Sequence, residues 1–298
     1  HLHFPFIFGS ELTLLRAWAS RAPLVLTYHN DLIGGGIRRP SFWLYNRLNA
    51  PLILNAARKI VVTSFNYAST SIYADTIFRA RQNDLLEVFN GVDVEAFHPN
   101  VDGDFVRARH GLQTNDFLLL FVSSLDRSHA RKGLDLLLQA LADIPGSASK
   151  LLIVGDGDMR SEYEASAARL GLRERAIFAG RVPQGEMAAH YAASDAVCIP
   201  SRPPEAFGLA LAQGMAAGKA VIGSDIAGVR LLIRDGEQGF LIPPGDRAAL
   251  VERILTLAGN PALRAQMGAA GRERILQNFT WKRAAEKLLA IYREILSH

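Results

Sequence analysis

The chain reads as an α/β protein in two parts, each a parallel sheet covered by helices, with the first sheet incomplete. Short apolar runs alternate with stretches of helical period through most of the length, which is the pattern of parallel strands joined by crossover helices. The 298 residues suffice for one large or two ordinary domains, and an apolar share of 49% supplies buried cores. A polar, turn-rich stretch at 97–116, "FHPNVDGDFVRARHGLQTND", separates three predicted strands from six more.

Taken in order, the first part has strands at 23–29 (PLVLTYH), 59–64 (KIVVTS) and 85–90 (LLEVFN), too few to close a sheet as large as the one that follows. The second part runs through 117–123 (FLLLFVS), 150–155 (KLLIVG), 176–180 (AIFAG), 196–201 (AVCIPS), 220–225 (AVIGSD) and 239–244 (GFLIPP), with helices between most of them. The last segment, "TWKRAAEKLLAIYREIL", places Trp281, Ala285, Leu288, Leu289, Tyr292 and Ile295 at helical spacing and reads as a packing helix. No internal repeat and no low-complexity tract is found.

Composition narrows the function classes. Cys198, the single cysteine, lies in the apolar run "AVCIP", which favours a buried strand thiol and fits a reducing cytosol. No stretch approaches the ~18 uninterrupted apolar residues of a membrane span. The apolar opening lacks a basic leading region and meets Glu11 early, so it does not read as a signal peptide. With no starting methionine, the chain is expected to be a fragment. The formal charge is +4, and between Arg16 and Lys59 the basic residues Arg16, Arg21, Arg38, Arg39, Arg47, Arg58 and Lys59 face a single acid there besides them, Asp31. Either a solvated basic face or a surface for anionic lipid accounts for that run; nucleic acid does not, for want of interleaved aromatics or a reading module.

Chemistry concentrates at 200–221, "PSRPPEAFGLALAQGMAAGKAV", where an apolar strand turns into a small-residue helix. In an open parallel sheet that crossing is where ligands bind. A helix starting near Gly208 offers unpaired N–H groups and a partial positive charge, which suits phosphate. Small residues at 210, 212, 214, 216 and 217 allow close approach to the sheet or a ligand. Glu205 is either a partner of the helix dipole or an acceptor for sugar hydroxyls. Gln213 stands eight residues on, its side chain able to lean toward the same pocket. The "DGD" at 156–158 could pass for a metal-binding Asp-x-Asp, but inside a βα series it reads better as a turn whose Gly155 and Gly157 serve backbone conformation. It lacks the third glycine and the later acid of a dinucleotide fingerprint, which disfavours a nicotinamide enzyme.

The acid, the Phe-Gly pair, the eight-residue spacing and the sequel "GKAVIGSDIAGV" resemble the family 4 glycosyltransferases, which have the GT-B fold of two Rossmann-like domains. "VFNGVDVEAFHP" (88–99), "LLIVGDGDMR" (151–160), "YAASDAVCIPSRPPEAFG" (191–208) and "DGEQGFLIPPGD" (235–246) resemble further segments of that family in the same order. The resemblance implies residues 1–100 as a truncated acceptor-side domain, 101–278 as the donor-nucleotide domain, and 279–298 as a helix packing back on the first. It implies that Lys132, before Gly133, holds the donor diphosphate, with Arg127 of "DRSH" replacing the family's usual arginine, which is Ser124 here, and Arg131 in reserve. It gives His29 of "TYHND" and Glu205 the task of orienting the donor sugar. Gly157, Arg181, Val182, Ala206, Phe207, Gly208, Leu209 and Gln213 would line the donor site. The family's second glutamate, which binds the ribose hydroxyls, is Gln213 here, and an acid common near position 231 is Leu231. These departures leave open altered donor contacts.

The implied activity is a retaining, metal-independent transfer of a hexosyl group from a nucleotide diphosphate sugar, GDP-mannose or a UDP-sugar, to a glycan or lipid-linked acceptor. No cofactor is expected beyond that co-substrate, and nucleic acid is not a partner. The implied location is cytoplasmic, with peripheral attachment to the inner face of the plasma membrane. With an early portion missing, weak donor binding and poor turnover are expected of these residues alone. The rivals are a non-catalytic nucleotide-sugar-binding or scaffold domain, favoured by Ser124, Gln213 and Leu231, and a sugar-nucleotide epimerase of the same fold, for which further acid and base residues are not found.

Overall fold

The computed structural model describes residues 1–32 and 39–297, so Arg38 of the basic run lies outside the described residues. The chain divides into two compact units, 1–90 with 282–298, and 91–281. The division falls ten residues before the expected boundary at 100/101, and side chains explain why. Arg272 donates to the carbonyls of Val94 (3.1 Å), Phe97 (2.6 Å) and Ala216 (2.7 Å), Phe97 packs edge-on against Tyr191, and Val92 bridges Thr280. Residues 91–100 therefore belong with the second unit.

The first unit holds β1 (Leu2–Phe4), α1 (Gly9–Ser20), β2 (Val25–Tyr28), α2 (Arg39–Ala56), β3 (Lys59–Val62), α3 (Phe65–Ala68) and β4 (Leu85–Glu87). Its strands form one parallel sheet in the order β1-β2-β3-β4. β1 was not predicted: three residues, Leu2, His3 and Phe4, are too few to establish a period. Its register, Phe4 opposite Tyr28, completes one core face with Leu26, Ile53, Leu54, Ile60 and Phe78. The other face is Val25, Val61 and Val88.

The last helix, α12 (Trp281–Leu296), covers that second face with Ala284 and Ile291, flanked by Leu288, Tyr292 and Ile295. Its apolar stripe is rotated from the expected one. Trp281 (59% exposed) and Leu289 (50%) face outward, and Ala285 is exposed as well.

In the second unit α4 (Asp104–Arg109) occupies the stretch read as a linker, held by fully buried Val106. There follow β5 (Phe117–Val122), α5 (Leu134–Asp143), β6 (Ser149–Val154), α6 (Arg160–Arg169), β7 (Ala176–Gly180), α7 (Gln184–Ala193), β8 (Ala196–Ile199), α8 (Leu209–Ala216), β9 (Ala220–Ser224), α9 (Ala227–Arg230), β10 (Gly239–Ile242), α10 (Arg247–Gly259) and α11 (Pro261–Asn278). All six strands are parallel, in the order β10-β9-β8-β5-β6-β7. From β5 the chain winds outward one way through β6 and β7, then returns to add β8, β9 and β10 on the other side. The reversal makes the boundary between β5 and β8 the switch point of the sheet, the place at the carboxyl ends of the strands where open α/β sheets bind ligands. Cys198 is fully buried in β8, and burial pushes its thiol far above the usual range, so it is a core side chain.

Candidate active site

Two loops leave the carboxyl ends of the adjacent strands β5 and β8, and the sequence brings them together. After β5 a tight 3-10 turn, Arg127–Lys132, ends at Gly133, whose φ of +83° is the left-handed conformation glycine allows. A Cβ there would stand 2.2 Å from the Pro200 carbonyl oxygen, so no larger residue permits this approach. Across the gap the Arg202 amide donates to the Arg131 carbonyl at 2.7 Å. The Arg202 guanidinium grips Asp135 at the start of α5 with both nitrogens, at 3.1 and 2.7 Å. The Arg131 guanidinium reaches the Pro204 carbonyl at 3.1 Å.

At the centre of this corner Lys132 Nζ meets Glu205 Oε2 at 2.5 Å, with side chains 20% and 9% exposed. Ser201 Oγ donates to the same carboxylate oxygen at 3.2 Å. Gly208, with φ +81°, then turns the chain into α8 and brings no side-chain cap. The first-turn N–H groups of that helix, which have no carbonyl partner within it, are thereby left to other acceptors.

Small residues seat α8 deeply. A Cβ on Gly214 would come 2.6 Å from the Val197 side chain on β8. Gly228 lies so close under the loop that a Cβ would stand 2.1 Å from the Glu205 carbonyl oxygen and 2.6 Å from the Ala206 carbonyl carbon, which fixes the backbone that carries the acid.

The other predicted residues divide into those in this corner and those serving elsewhere. Phe207 is 3% exposed and packs edge-on against Phe279, so its role is to anchor the loop in the core. Leu209 is 48% exposed at the head of α8. Gln213 accepts a 2.9 Å hydrogen bond from the hydroxyl of fully buried Tyr191. That occupies one lone pair of its carbonyl oxygen, the amide N–H₂ being the donor end. Leu231 caps short α9 and gives its carbonyl to Arg274 at 2.8 Å.

Gly157 is needed for space more than for conformation: a Cβ would stand 2.4–2.5 Å from Leu125 and Asp126, where the turn after β6 presses on the loop after β5. Gly155 does carry a positive φ, +141°. Arg181 is exposed and Val182 half-buried just beyond β7.

Arg127 is not part of the corner. Its guanidinium pairs with Glu162 on α6 at 2.9 Å, and its amide bonds Asp158. Lys132 is followed by a glycine that fits only one place, whereas the flexible arginine five residues earlier finds a nearer carboxylate. Arg131, the reserve candidate, is the guanidinium held against the 200–208 loop. Ser124 donates to Asp126 at 2.5 Å and so lowers that carboxyl's pKa. The acids of "DGD" are likewise engaged, Asp158 by the Arg127 amide and Asp156 by Arg160 at 3.6 Å. Among the described residues no group of three or more His, Cys, Asp and Glu is placed to hold a metal ion.

In the first unit His29 follows β2 directly, its amide bonded to the Phe4 carbonyl at 2.9 Å. Its ring stacks on His3 (centroids 5.1 Å apart) and shares a 2.8 Å hydrogen bond from Nε2 to His3 Nδ1. Burial, then the neighbouring His3, lowers its pKa below the ordinary histidine value.

Residues 102–274 match the family of glycosyl transferases group 1. The chain belongs to that family. Phosphatidyl-myo-inositol mannosyltransferase of Mycobacterium leprae is 30% identical over 309 aligned residues, covering 99% of this chain and 73% of the relative. Among solved structures, Anabaena HepE in complex with UDP and glucose superposes with a TM-score of 0.81 at 23% identity, over 98% of this chain and 78% of that one. Sucrose-phosphate synthase of Thermosynechococcus elongatus gives 0.78 at 26% identity, over 96% and 72%. The fold is GT-B, as the sequence resemblance implied, and the chain is a glycosyltransferase by family.

Tyr191, Arg202 and Asp135 belong to the site's framework and were missed by sequence reasoning. Tyr191 sits in "YAASDAV", where its hydroxyl reads as a core tyrosine until Gln213 is seen beside it. The Arg202–Asp135 fork joins residues 67 apart and leaves no local signal.

Proposed function

We propose that this glycosyltransferase moves a hexosyl group from a nucleotide diphosphate sugar, GDP-mannose or a UDP-sugar, to a glycan or lipid-linked acceptor with retention of configuration. The observation that carries the reading is the Lys132–Glu205 pair at the switch point between β5 and β8, beside the uncapped start of α8. A relative named for mannosyl transfer to phosphatidylinositol and a neighbour holding UDP and glucose support the substrate class.

In this reading the donor diphosphate lies against Lys132, Arg131 and the amides of the first turn of α8. As the anomeric carbon–oxygen bond breaks, its electron pair goes to the β-phosphate oxygen, and fixed cations and amide dipoles stabilise the charge that develops there. Glu205 accepts from sugar hydroxyls and His29 orients the sugar. The acceptor oxygen bonds to the anomeric carbon on the leaving-group face while its proton passes to the departing phosphate. No protein base and no metal ion are required by that sequence of events. Gly157, Arg181, Val182, Ala206 and Leu209 supply the remaining surface of the donor site, and Gln213 approaches the ribose through its amide.

The reading extends to attachment at an anionic cytoplasmic membrane surface. Arg16, Arg21, Arg39, Arg47 and Arg58 are all exposed, among exposed Leu12, Leu15 and Trp18 of α1 and Trp43, Leu44, Leu48 and Leu52 of α2. Exposed basic and large apolar side chains of this kind suit anionic lipid. Lys59, by contrast, is occupied by Asp84 and Glu294.

The test is transfer of radiolabelled sugar from GDP-mannose, UDP-glucose and UDP-N-acetylglucosamine to lipid-linked acceptors, with the anomeric configuration of the product read by NMR. Lys132→Ala is expected to lower kcat/KM by about 10²- to 10³-fold, the usual effect of removing one group that stabilises developing charge. Nucleotide binding without transfer, even after extension to the length of the relatives it matches, would favour the scaffold alternative.

A further inference from the structure

Lys132 and Glu205 are the groups to which the proposed donor site gives the diphosphate and the sugar, and they pair with each other. The ammonium and carboxylate stand 2.5 Å apart in a corner where neither side chain is more than 20% exposed, and Ser201 holds the carboxylate in place at 3.2 Å. A cation so neutralised offers little net attraction to a diphosphate, and at such burial the effect is screened much less than at a surface. Around the pair, Arg202 binds Asp135, Arg127 pairs with Glu162 away from the corner, and Arg131 reaches the Pro204 carbonyl.

We infer that Glu205 makes the site discriminate between nucleotide diphosphate sugar and free nucleoside diphosphate, by competing with the diphosphate for Lys132. This rests on the donor site proposed above. When the sugar is present its hydroxyls occupy Glu205, and Lys132 is released to the phosphates. Once the sugar has passed to the acceptor, the carboxylate has lost its partner and returns to Lys132, which weakens the hold on the remaining nucleoside diphosphate and speeds its departure. Glu205 is thus a specificity-determining and product-releasing group as well as a sugar ligand.

Titration calorimetry of the full chain with GDP, UDP, GDP-mannose and UDP-glucose tests this. Glu205→Gln leaves Lys132 without its counterion, and free GDP or UDP is expected to bind about tenfold tighter than to the wild type, while the preference for the sugar-bearing nucleotide falls. Lys132→Ala should weaken both ligands, and in the double variant the gain from Glu205→Gln should vanish, as coupled groups require. Ser201→Ala, which loosens the carboxylate without removing it, should shift affinity in the same direction by a smaller factor and covers the case in which Glu205→Gln does not fold. If Glu205→Gln and Ser201→Ala both bind free nucleotide no tighter than wild type while Lys132→Ala weakens it, the competition is overturned and the donor site stands. If Lys132→Ala changes nothing, or neither nucleotide binds the wild type, the donor-site reading goes and this inference with it.

Discussion

Gln213 shows how one neighbour changes the meaning of a side chain. A glutamine has an acceptor and a donor end, and the buried Tyr191 hydroxyl already engages the acceptor. In the proposed donor site that leaves less acceptor capacity for two ribose hydroxyls than a carboxylate would offer. Gln213→Glu would keep the Tyr191 bond on one oxygen and free the other, so nucleotide affinity is expected to rise about tenfold. Calorimetry with GDP and UDP decides it, and an unchanged or lower affinity removes Gln213 from the ribose side of the pocket. His29 contributes a pH dependence. Its pKa is lowered in the folded state, so the unfolded chain binds the proton more readily below the ordinary value of 6.5. Its neutral form supports folding above that pH, and the support is lost as the pH falls from 6.5 toward the depressed folded pKa. Melting temperatures should therefore drop on acidification through that window, and drop less in His29→Asn; parallel curves for the two proteins would refute the assignment.

Connections between elements, more than the elements, build the corner. β5 and β8 were both evident from their apolar runs, but their adjacency follows from the order in which the sheet is wound. What brings their loops into contact is Gly133, which combines a left-handed φ with a 2.2 Å approach to the Pro200 carbonyl. Gly133→Ala is expected to cost about 1–3 kcal/mol in backbone strain alone, with a further loss as the two loops separate. Denaturant unfolding reads the first effect. A parallel fall in nucleotide affinity reads the second, and a stable variant with unaltered binding would show that this contact does not position the site. The final helix illustrates the opposite case. Its period was visible, but which stripe faces inward was decided by the valines of β2 and β3, which take up Ala284 and Ile291 and leave Trp281 and Leu289 outside.

As a whole chain, the protein combines a second unit that carries the family match with a first unit that exposes arginines among large apolar side chains. The proposed surface attachment predicts cosedimentation with vesicles containing phosphatidylglycerol and little with pure phosphatidylcholine. Each arginine contributes about 1 kcal/mol near an anionic surface, so Arg16→Glu with Arg47→Glu should release the protein and raising salt should do the same. Equal binding to neutral vesicles would mean that the apolar side chains act without the charges.

Apolar runs, their alternation with helical periods, and the ordered motifs from 88 to 246 were enough to establish an α/β chain of the GT-B type and to single out Lys132, Glu205 and Gly208, because those signals are local. Short apolar β1, the start of the second unit at Gly91, and the inward stripe of α12 depend on partners distant in sequence and could not be read from it. The same holds for the choice between Arg127 and Arg131. Both are cations in one basic loop, and only the placement of Glu162 beside the first and of the Pro204 carbonyl beside the second determines which guanidinium lies against the 200–208 loop. Charge is written in the sequence, whereas the partner that neutralises it is set by the packing of the sheet.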